Sequence, residues 1–186
     1  MIIISGPSTI GKNPLIEKIS SEYCYDFLVP WTTRQRRKEE INGRDYHFLP
    51  KEEFRRKILD GSIIEWDYCL ANYYGYSYFD PTAANTITHG LSRMATRIKN
   101  RNKESVTTIF LMPQETEKVF STLKKIYTGE DLVLRLQLVE EEINHSPLFD
   151  YVFTIKESVY EVLENKQFLS IVEKKHQMSF EEIGCY

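Results

Sequence analysis

The feature that most limits the possible folds is a glycine-rich turn near the start of the chain, in "MIIISGPSTIGKNPLIEKI". The apolar, β-branched run over residues 1–5 predicts a short buried strand of a parallel sheet. After the turn, Leu15, Ile16 and Ile19 recur at helical spacing, and Pro14 is tolerated in the first turn of a helix. A strand, a glycine-rich turn and a helix in this order are typical of phosphate-binding loops.

The turn has the spacing G-x-x-x-x-G-K, formed by Gly6, Gly11 and Lys12. Glycine lets the backbone bend until consecutive N–H groups converge on phosphate oxygens. Lys12 adds a mobile positive charge for the outer phosphates, and the helix N-terminus adds a partial one. We therefore expect nucleotide phosphates to be bound by Gly6, Pro7, Ser8, Thr9, Ile10, Gly11, Lys12 and Asn13.

Asn13 departs from this motif, because the residue after the lysine is normally Ser or Thr, whose hydroxyl binds Mg²⁺. A carboxamide oxygen can also bind a hard cation, but its side chain is longer and placed differently. Asn13 is the one candidate for a protein ligand to Mg²⁺ in this loop. Phosphate binding can persist here while metal placement suffers.

The composition indicates one cytoplasmic globular domain. The chain has 186 residues, 41% of them hydrophobic, and its net charge of −3 gives no reason to expect a nucleic-acid or membrane partner. Cys24, Cys69 and Cys185 have neither pairing nor metal spacing and are expected to be free thiols in a reducing compartment. No apolar run approaches the ~18 residues of a membrane span. The oligomeric state is not predicted.

Further along, apolar strands alternate with helical patterns, which favours an α/β fold with a parallel sheet. The predicted strands include "DFLVPWTT", "VTTIFLMP" and "DYVFTI", and the predicted helices include "QETEKVFSTLKKI", "DLVLRLQLVEEEI" and "SVYEVLENKQFLSIVEK". The segment 30–77 differs in composition from the rest of the chain, because it is charged, aromatic and rich in turn residues. We interpret it as an inserted subdomain. The tail after His176 is expected to be loose.

The inserted segment contains a second group of candidate binding residues. Arg34 and Arg37 lie three residues apart, and their planar guanidinium groups suit a bidentate grip on a phosphate or a carboxylate. Tyr46 and Tyr74 add phenolic donors. Glu65 lies within the apolar, aromatic strand "SIIEWDY", where an acid needs a partner such as a purine amino group.

The basic run 34–38, taken alone, is better explained as a solvated face that is balanced by Glu39 and Glu40. Its wider context changes this interpretation. The blocks "IIISGPSTIGKNPL", "TTRQRRKEEINGRDYHFLPKEEF", "GSIIEWDYCLANYYGYS", "TIFLMP" and "DYVFTI" keep the order and spacing of the guanylate kinase family, which this chain resembles from residue 1 to about 165.

The resemblance implies a P-loop nucleoside monophosphate kinase fold, in which helices flank a parallel core sheet. The core would comprise residues 1–29, 78–123 and 147–175, the inserted monophosphate-binding subdomain residues 30–77, and a short lid residues 124–146. It also implies that ATP is the phosphoryl donor, that Mg²⁺ is required and that small-molecule nucleotides are the partners.

The resemblance also assigns roles to individual residues. Arg34, Arg37, Tyr46 and Tyr74 would hold the phosphate of the bound monophosphate, and Glu65 would accept hydrogen bonds from guanine. Tyr76 would lie where the family reads the 6-oxo group of the base, and either Tyr76 or the neighbouring Ser77 would supply the donor. Lys12 and the loop would hold the outer phosphates of ATP, and the catalytic set would be Lys12, Arg34, Arg37 and Arg135, the last of these as a lid arginine.

Several positions depart from the family's pattern. Thr9 replaces a loop glycine, and Pro30 and Tyr76 replace the hydroxyl residues that read the 6-oxo group. The family's acidic pair corresponds to His89 and Leu91, and no Asp or Glu occurs from residue 81 through 103. The lid start retains Lys124 and Lys125 as its cations, and Ile155 replaces an Asn near the adenine.

Two functions follow from these observations. One is a divergent guanylate-kinase-like enzyme that transfers the γ-phosphoryl group of ATP to GMP or a related nucleoside monophosphate. Because a site built for one base loses discrimination when its donors are replaced, relaxed or altered base specificity is expected. The alternative is a catalytically inactive binding module of the same fold for a nucleotide or a phosphopeptide.

Overall fold

The computed structural model describes residues 1–173 and divides the chain into two compact units. The first, called the core unit, comprises Met1–Phe27 and the chain from Pro81 onward, and the second, called the inserted unit, comprises Leu28–Asp80. The loose tail expected after His176 lies outside the described residues. No helix within residues 1–173 is both long enough and apolar enough to cross a membrane.

The core unit alternates strands and helices. Its strands are β1 (Ile2–Ser5), β2 (Asp26–Phe27), β7 (Thr86–His89), β8 (Thr107–Pro113) and β9 (Tyr151–Ile155). Its α-helices are α1 (Lys12–Tyr23), α3 (Ser92–Arg101), α4 (Thr116–Ile126), α5 (Gly129–His145) and α6, described over residues 166–173. Two 3-10 helices, Ser146–Leu148 and Val159–Glu164, flank β9.

The five core strands form one parallel sheet in the order β2-β7-β1-β8-β9. Ile4 pairs with His89 on one side and with Ile109 on the other, so β1 lies at the centre. Residues 1–4 are all completely buried, as expected for a strand covered on both faces. The predicted α/β fold with a parallel core sheet is confirmed.

Helices cover both faces of this sheet. Ile2 and Ile4 pack into a cluster with Leu15 and Ile19 of α1 and with Phe168 of α6. Ile3 points to the opposite face because side chains alternate along a strand. The crossover through α3 runs from β7 over β1 to β8, and α3 contacts β1, β8 and α5.

The inserted unit contains a four-stranded sheet in the order β4-β3-β6-β5. Its strands are β3 (Trp31–Thr32), β4 (His47–Phe48), β5 (Ile63–Cys69) and β6 (Asn72–Ser77), and its helix is α2 (Lys51–Leu59). Phe54 of α2 is fully buried and stacks on Tyr73 of β6. A Cβ atom at Gly75 would lie 2.9 Å from the Phe54 ring, so the absent side chain lets the helix approach the sheet.

Among the described residues, β5 forms one edge of this sheet. Its alternate side chains Ile64, Trp66 and Tyr68 are exposed to 46, 41 and 48%. The rings of Trp66 and Tyr68 also contact Tyr73, so they lie on the face that packs against α2 and are only partly in solvent.

Two predicted elements differ from the structure. The single strand predicted for "DFLVPWTT" is two: β2 joins the core sheet, and β3 joins the sheet of the inserted unit. Pro30 lies between them, and proline has no N–H to continue a ladder. The single helix predicted over residues 158–174 is a 3-10 helix followed by α6, because the side chain of Asn165 caps α6 by accepting the N–H groups of Gln167 and Phe168.

We predict that Gly6→Ala destabilises the core unit by about 2–4 kcal/mol. The new Cβ would lie 2.6 Å from the backbone carbonyl oxygen of Leu111, and the φ angle of 144° at Gly6 is unfavourable for any L-residue. Chemical unfolding followed by circular dichroism measures the change.

Gly129→Ala is the matched control, because Gly129 also has a positive φ angle of 61° but no heavy atom within 4 Å of the added Cβ. Its cost should be limited to backbone strain of about 1–2 kcal/mol. Equal destabilisation by the two variants would contradict the packing argument for Gly6.

Candidate functional site

The glycine-rich turn joins β1 to α1 at the carboxyl edge of the core sheet. Gly6, Thr9 and Gly11 all have positive φ angles, of 144°, 72° and 95°. Thr9 is the unusual member, because its left-handed backbone is one that glycine adopts at lower cost. The turn therefore keeps its curled conformation although threonine, and not glycine, occupies this left-handed position.

Lys12 is the first residue of α1, and its side chain folds back over the turn. Its Nζ atom donates to the carbonyl oxygens of Gly6 at 2.6 Å and Pro7 at 2.9 Å. The ammonium group is thus held within the curve of the turn, next to the N-terminus of α1. Both features favour an anion at this position.

The sheet topology makes this edge a natural ligand site. The chain leaves β1 through α1 towards β2, and it leaves the neighbouring β8 through α4 and α5 towards β9. Connections from adjacent strands therefore run in opposite directions here. Open parallel sheets bind ligands in the crevice at such switch points.

A cleft of about 200 Å³ opens next to the turn in the core unit. One wall is the turn itself, another is the end of β8 and β9, and a third is α4. The residues lining these walls include Thr9, Ile10, Pro113, Lys118, Thr122 and Ile155. Its mixed apolar and charged lining suits a flat aromatic ring that carries polar substituents.

A buried carboxylate, which the sequence analysis did not identify, lies near this edge. Glu142 of α5 is 4% exposed, and its Oε1 accepts hydrogen bonds from the backbone N–H of Ser92 at 2.9 Å and from Ser92 Oγ at 3.0 Å. Burial raises the pKa of Glu142, and the Ser92 hydrogen bonds and the positive charge of Lys12 oppose that effect.

Glu142 was not predicted as a site residue, because it belongs to a run of three glutamates that resembles a solvated face. A signal was nevertheless present. Leu132, Leu136, Val139 and Ile143 form the apolar stripe of α5, and Glu142 lies beside that stripe. Its helical position therefore indicated partial burial.

The inserted unit carries the second group of predicted site residues, centred on Arg34. Its Nη1 and Nη2 atoms donate to the two carboxylate oxygens of Glu40 at 3.0 and 2.6 Å, and both side chains are 11% exposed. The backbone N–H of Arg37 also donates to Glu40, at 2.8 Å, whereas the Arg37 side chain is 51% exposed. Glu40 therefore fixes the guanidinium group of Arg34 and the loop that carries Arg37.

Two tyrosines complete this cluster. The guanidinium carbon of Arg34 lies 5.4 Å from the centre of the Tyr46 ring, and that ring makes an edge contact with Tyr74 at 6.4 Å. Burial raises the pKa of Tyr46, so its phenol remains a hydrogen-bond donor at neutral pH. The structure brings together the four residues that the sequence predicted to bind one phosphate.

The base-reading candidates lie on the same sheet face. Glu65 of β5 pairs directly with Tyr76 of β6, and their exposed fractions are 5% and 1%. Tyr76 follows Tyr74 by two residues, so both point to one face of the strand, about 7 Å apart along it. A donor phenol and an acceptor carboxylate therefore lie side by side, next to the arginine cluster.

The remaining candidates lie elsewhere in the core unit. His89 ends β7 and is 2% exposed, with its ring 5.6 Å from that of Phe27, and Leu91 caps the start of α3. Arg135 of α5 packs its guanidinium carbon 3.7 Å from the centre of the Tyr127 ring and donates to Asp131. Asn13 is in the first turn of α1.

We predict that the inserted unit loses stability at acidic pH through Glu40. Burial raises the pKa of Glu40, but its hydrogen bonds from Arg34 and from the Arg37 backbone outweigh burial and lower the pKa overall. A lowered pKa in the folded state gives stability that is present above the unfolded value of about 4.3 and is lost as the pH falls through the folded value.

Both tryptophans of the chain, Trp31 and Trp66, lie in the inserted unit, so tryptophan fluorescence reports its unfolding. Between pH 5 and pH 3, the free energy of unfolding should fall more steeply in the unmodified protein than in Glu40→Gln. Glu39→Gln, which changes the exposed neighbour, should follow the unmodified protein. Identical pH dependence of the unmodified protein and Glu40→Gln would contradict the prediction.

Comparison with known proteins identifies the family. The sequence profile described as "Guanylate kinase" matches residues 1–169. The chain is 32% identical to the guanylate kinase of Shewanella violacea, covering 82% of this chain and 77% of that protein. It is 30% identical to the guanylate kinase of Streptococcus agalactiae, covering 100% and 91%.

A solved structure gives the same result. The crystal structure of guanylate kinase from Anaplasma phagocytophilum superimposes with a TM-score of 0.66 at 26% identity, covering 98% of this chain and 85% of that one. The P-loop kinase fold expected from the sequence is thereby confirmed. On the profile match and the identities over most of its length, the chain belongs to the guanylate kinase family.

Proposed function

We propose that this protein transfers the γ-phosphoryl group of ATP to GMP or a related nucleoside monophosphate in the cytoplasm. The observation that carries the proposal is the cluster of Arg34, Tyr46 and Tyr74 on the same sheet face as Glu65. That face offers donors for a phosphate at one end and an acceptor for a ring N–H at the other.

The acceptor phosphate is held mainly by Arg34. Three of the five guanidinium N–H donors are used by Glu40 and by the carbonyl of Gln35, which leaves two for a ligand. Glu40 fixes the orientation of the Arg34 guanidinium group, so this side chain loses little rotational freedom when a phosphate binds. Tyr46 and Tyr74 add phenolic donors, and the half-exposed side chain of Arg37 adds a positive charge at the edge of this cluster.

The base is read by Glu65 together with Tyr76. The carboxylate of Glu65 accepts hydrogen bonds from a ring N–H, and the Tyr76 phenol supplies a donor for a neighbouring ring oxygen. Guanine presents this pair of groups, and so do uracil and thymine. Adenine and cytosine present a ring nitrogen acceptor to the carboxylate and are disfavoured. Glu65 and Tyr76 are therefore expected to accept more than one base that carries a ring N–H next to a carbonyl oxygen.

ATP binds with its outer phosphates in the turn, where Lys12 and backbone N–H groups neutralise their charge, and with its adenine in the cleft next to the turn. The residues of the turn fit Mg²⁺ in part. Asn13 would supply one hard oxygen ligand from the first turn of α1, and the ion would neutralise phosphate charge.

Phosphoryl transfer between nucleotides depends on positioning and charge neutralisation rather than on a strong base. Arg34 and the two tyrosines orient the attacking phosphate oxygen. Lys12 and Arg135 stabilise the charge that develops on the transferred group. His89 has no required role in this scheme.

We predict turnover of GMP in a coupled assay that also tests dGMP, AMP, CMP, UMP and dTMP. Lys12→Ala should reduce kcat by at least about 100-fold, since a charge that stabilises the transition state is lost. Arg34→Lys should raise KM for the monophosphate by about 10-fold to 100-fold, because the fork of charge-assisted hydrogen bonds is lost.

If the unmodified protein turns over none of these acceptors faster than Lys12→Ala does, the enzyme proposal is contradicted. Calorimetry then distinguishes the alternative. GMP or phosphopeptide binding without Mg·ATP binding would identify a catalytically inactive binding module.

We further predict that Thr122→Trp raises KM for ATP by at least about tenfold, because an indole on α4 would occupy the cleft that receives adenine. The affinity for GMP, measured by calorimetry, should not change. Ser121→Trp is the control, since Ser121 is the exposed neighbour on α4 and is outside the cleft lining. Equal KM values for the two variants would place adenine elsewhere.

A further inference from the structure

We propose that Glu142 is a positioning residue that anchors the lid helix α5, and with it Arg135, to the start of α3. This inference rests on the proposed phosphoryl transfer, because its consequence is the placement of an arginine on the transferred group. Glu142 itself contacts neither nucleotide in this scheme.

The anchor is a pair of hydrogen bonds to one residue. The backbone N–H and the Oγ of Ser92 both donate to Glu142 Oε1, and Ser92 is 1% exposed. The first N–H groups of a helix have no partner within the helix, so the carboxylate satisfies one of them and interacts favourably with the helix dipole. This contact ties α5 to α3 across 50 residues of sequence.

The anchor lies on the same side of α5 as Arg135. Seven residues separate Arg135 from Glu142, which corresponds to nearly two full turns and a translation of about 10.5 Å along the axis. Between them Val139 is 1% exposed and packs with Val119 and Leu123 of α4. The helix therefore acts as a rigid element whose buried end sets the position of Arg135.

A carboxylate is an expensive group to bury unless it is well paired. Here burial raises its pKa, while the hydrogen bonds from Ser92 and the positive charge of Lys12 favour the ionised form. The anchor thus lies within electrostatic reach of the turn that holds the phosphates. Fixing α5 at this point fixes it relative to the turn, within the same unit of the fold.

An ion pair between the same helices provides a matched control. Arg93 of α3 and Glu141 of α5 lie 3.1 Å apart, with side chains 36% and 39% exposed. Exposed pairs of this kind contribute little to stability. Glu141→Gln also removes one negative charge from α5, one residue away from Glu142, and it alters a contact between the same two helices.

The experiment measures turnover of GMP, GMP affinity by calorimetry and hydrogen exchange of the α5 amides. Glu142→Ala should lower kcat by at least about tenfold, because small displacements of a catalytic group are costly. GMP affinity should change less than twofold, and α5 amides should exchange faster. Glu142→Gln should stay within about threefold of the unmodified kcat, since its amide oxygen still accepts both hydrogen bonds.

A double-mutant cycle separates positioning from a general loss of stability. If Glu142 acts through Arg135, then Glu142→Ala should lower kcat less than twofold in an Arg135→Ala background. Independent, multiplicative effects would overturn the proposal, as would equal effects of Glu142→Ala and Glu141→Gln on kcat and on exchange.

Should Glu142→Ala fail to fold, Ser92→Ala provides the second variant, since it removes one of the two hydrogen bonds and keeps the carboxylate. Faster exchange in α5 with a reduced kcat supports the anchor, and unchanged exchange overturns it. An unmodified protein without any turnover would contradict the proposed function, whereas normal turnover in all Glu142 and Ser92 variants would contradict only the anchor.

Discussion

The central position of β1, between β7 and β8, is the constraint on which the core unit depends. Its parallel pairing aligns Ile4 with His89 and Ile109, so three strands end at one edge. That edge receives the glycine-rich turn, the start of α3 and the cleft beside α4. The turn can follow the strand so tightly because the backbone at Gly6 packs directly on the carbonyl of Leu111. A backbone ladder and one missing side chain thus determine where the turn, Lys12 and the start of α3 come together.

In the inserted unit, the intrinsically planar guanidinium group of Arg34 is held in one orientation by Glu40. Glu40 does so by accepting two guanidinium donors and one backbone N–H. Under the proposed function, the guanidinium donors that Glu40 and the Gln35 carbonyl do not use would bind the phosphate. The antiparallel pairing of β5 with β6 then places Glu65 and Tyr76 in one row next to the arginine cluster.

Local patterns allowed much of this to be predicted from the sequence. The turn and Lys12 follow from a short motif whose chemistry is readable without a fold, whereas the grouping of Arg34, Tyr46 and Tyr74 was predicted only from the resemblance to the guanylate kinase family. The apolar stripe of α5 indicated partial burial of Glu142, but its partner Ser92 is 50 residues distant, and only the packing of α5 on α3 brings the two together. Pro30 and Asn165 were visible in the sequence as interruptions, but a single strand and a single helix were predicted across them. The effect of Pro30 depended on which sheet each half of the predicted strand could join. The effect of Asn165 depended on its side chain capping a new helix.

The edge position of β5 has a consequence for handling the protein. The edge strand β5 partly exposes Ile64, Trp66 and Tyr68 and contains no lysine or proline. Its guards against intermolecular strand pairing are Asp67 and the irregular pairing between Ile63 and Glu65. Concentrated or partly denatured samples should therefore begin to aggregate through this strand. Trp66→Lys would act as a gatekeeper and improve solubility at the cost of the ring contact with Tyr73, without touching the row that contains Glu65.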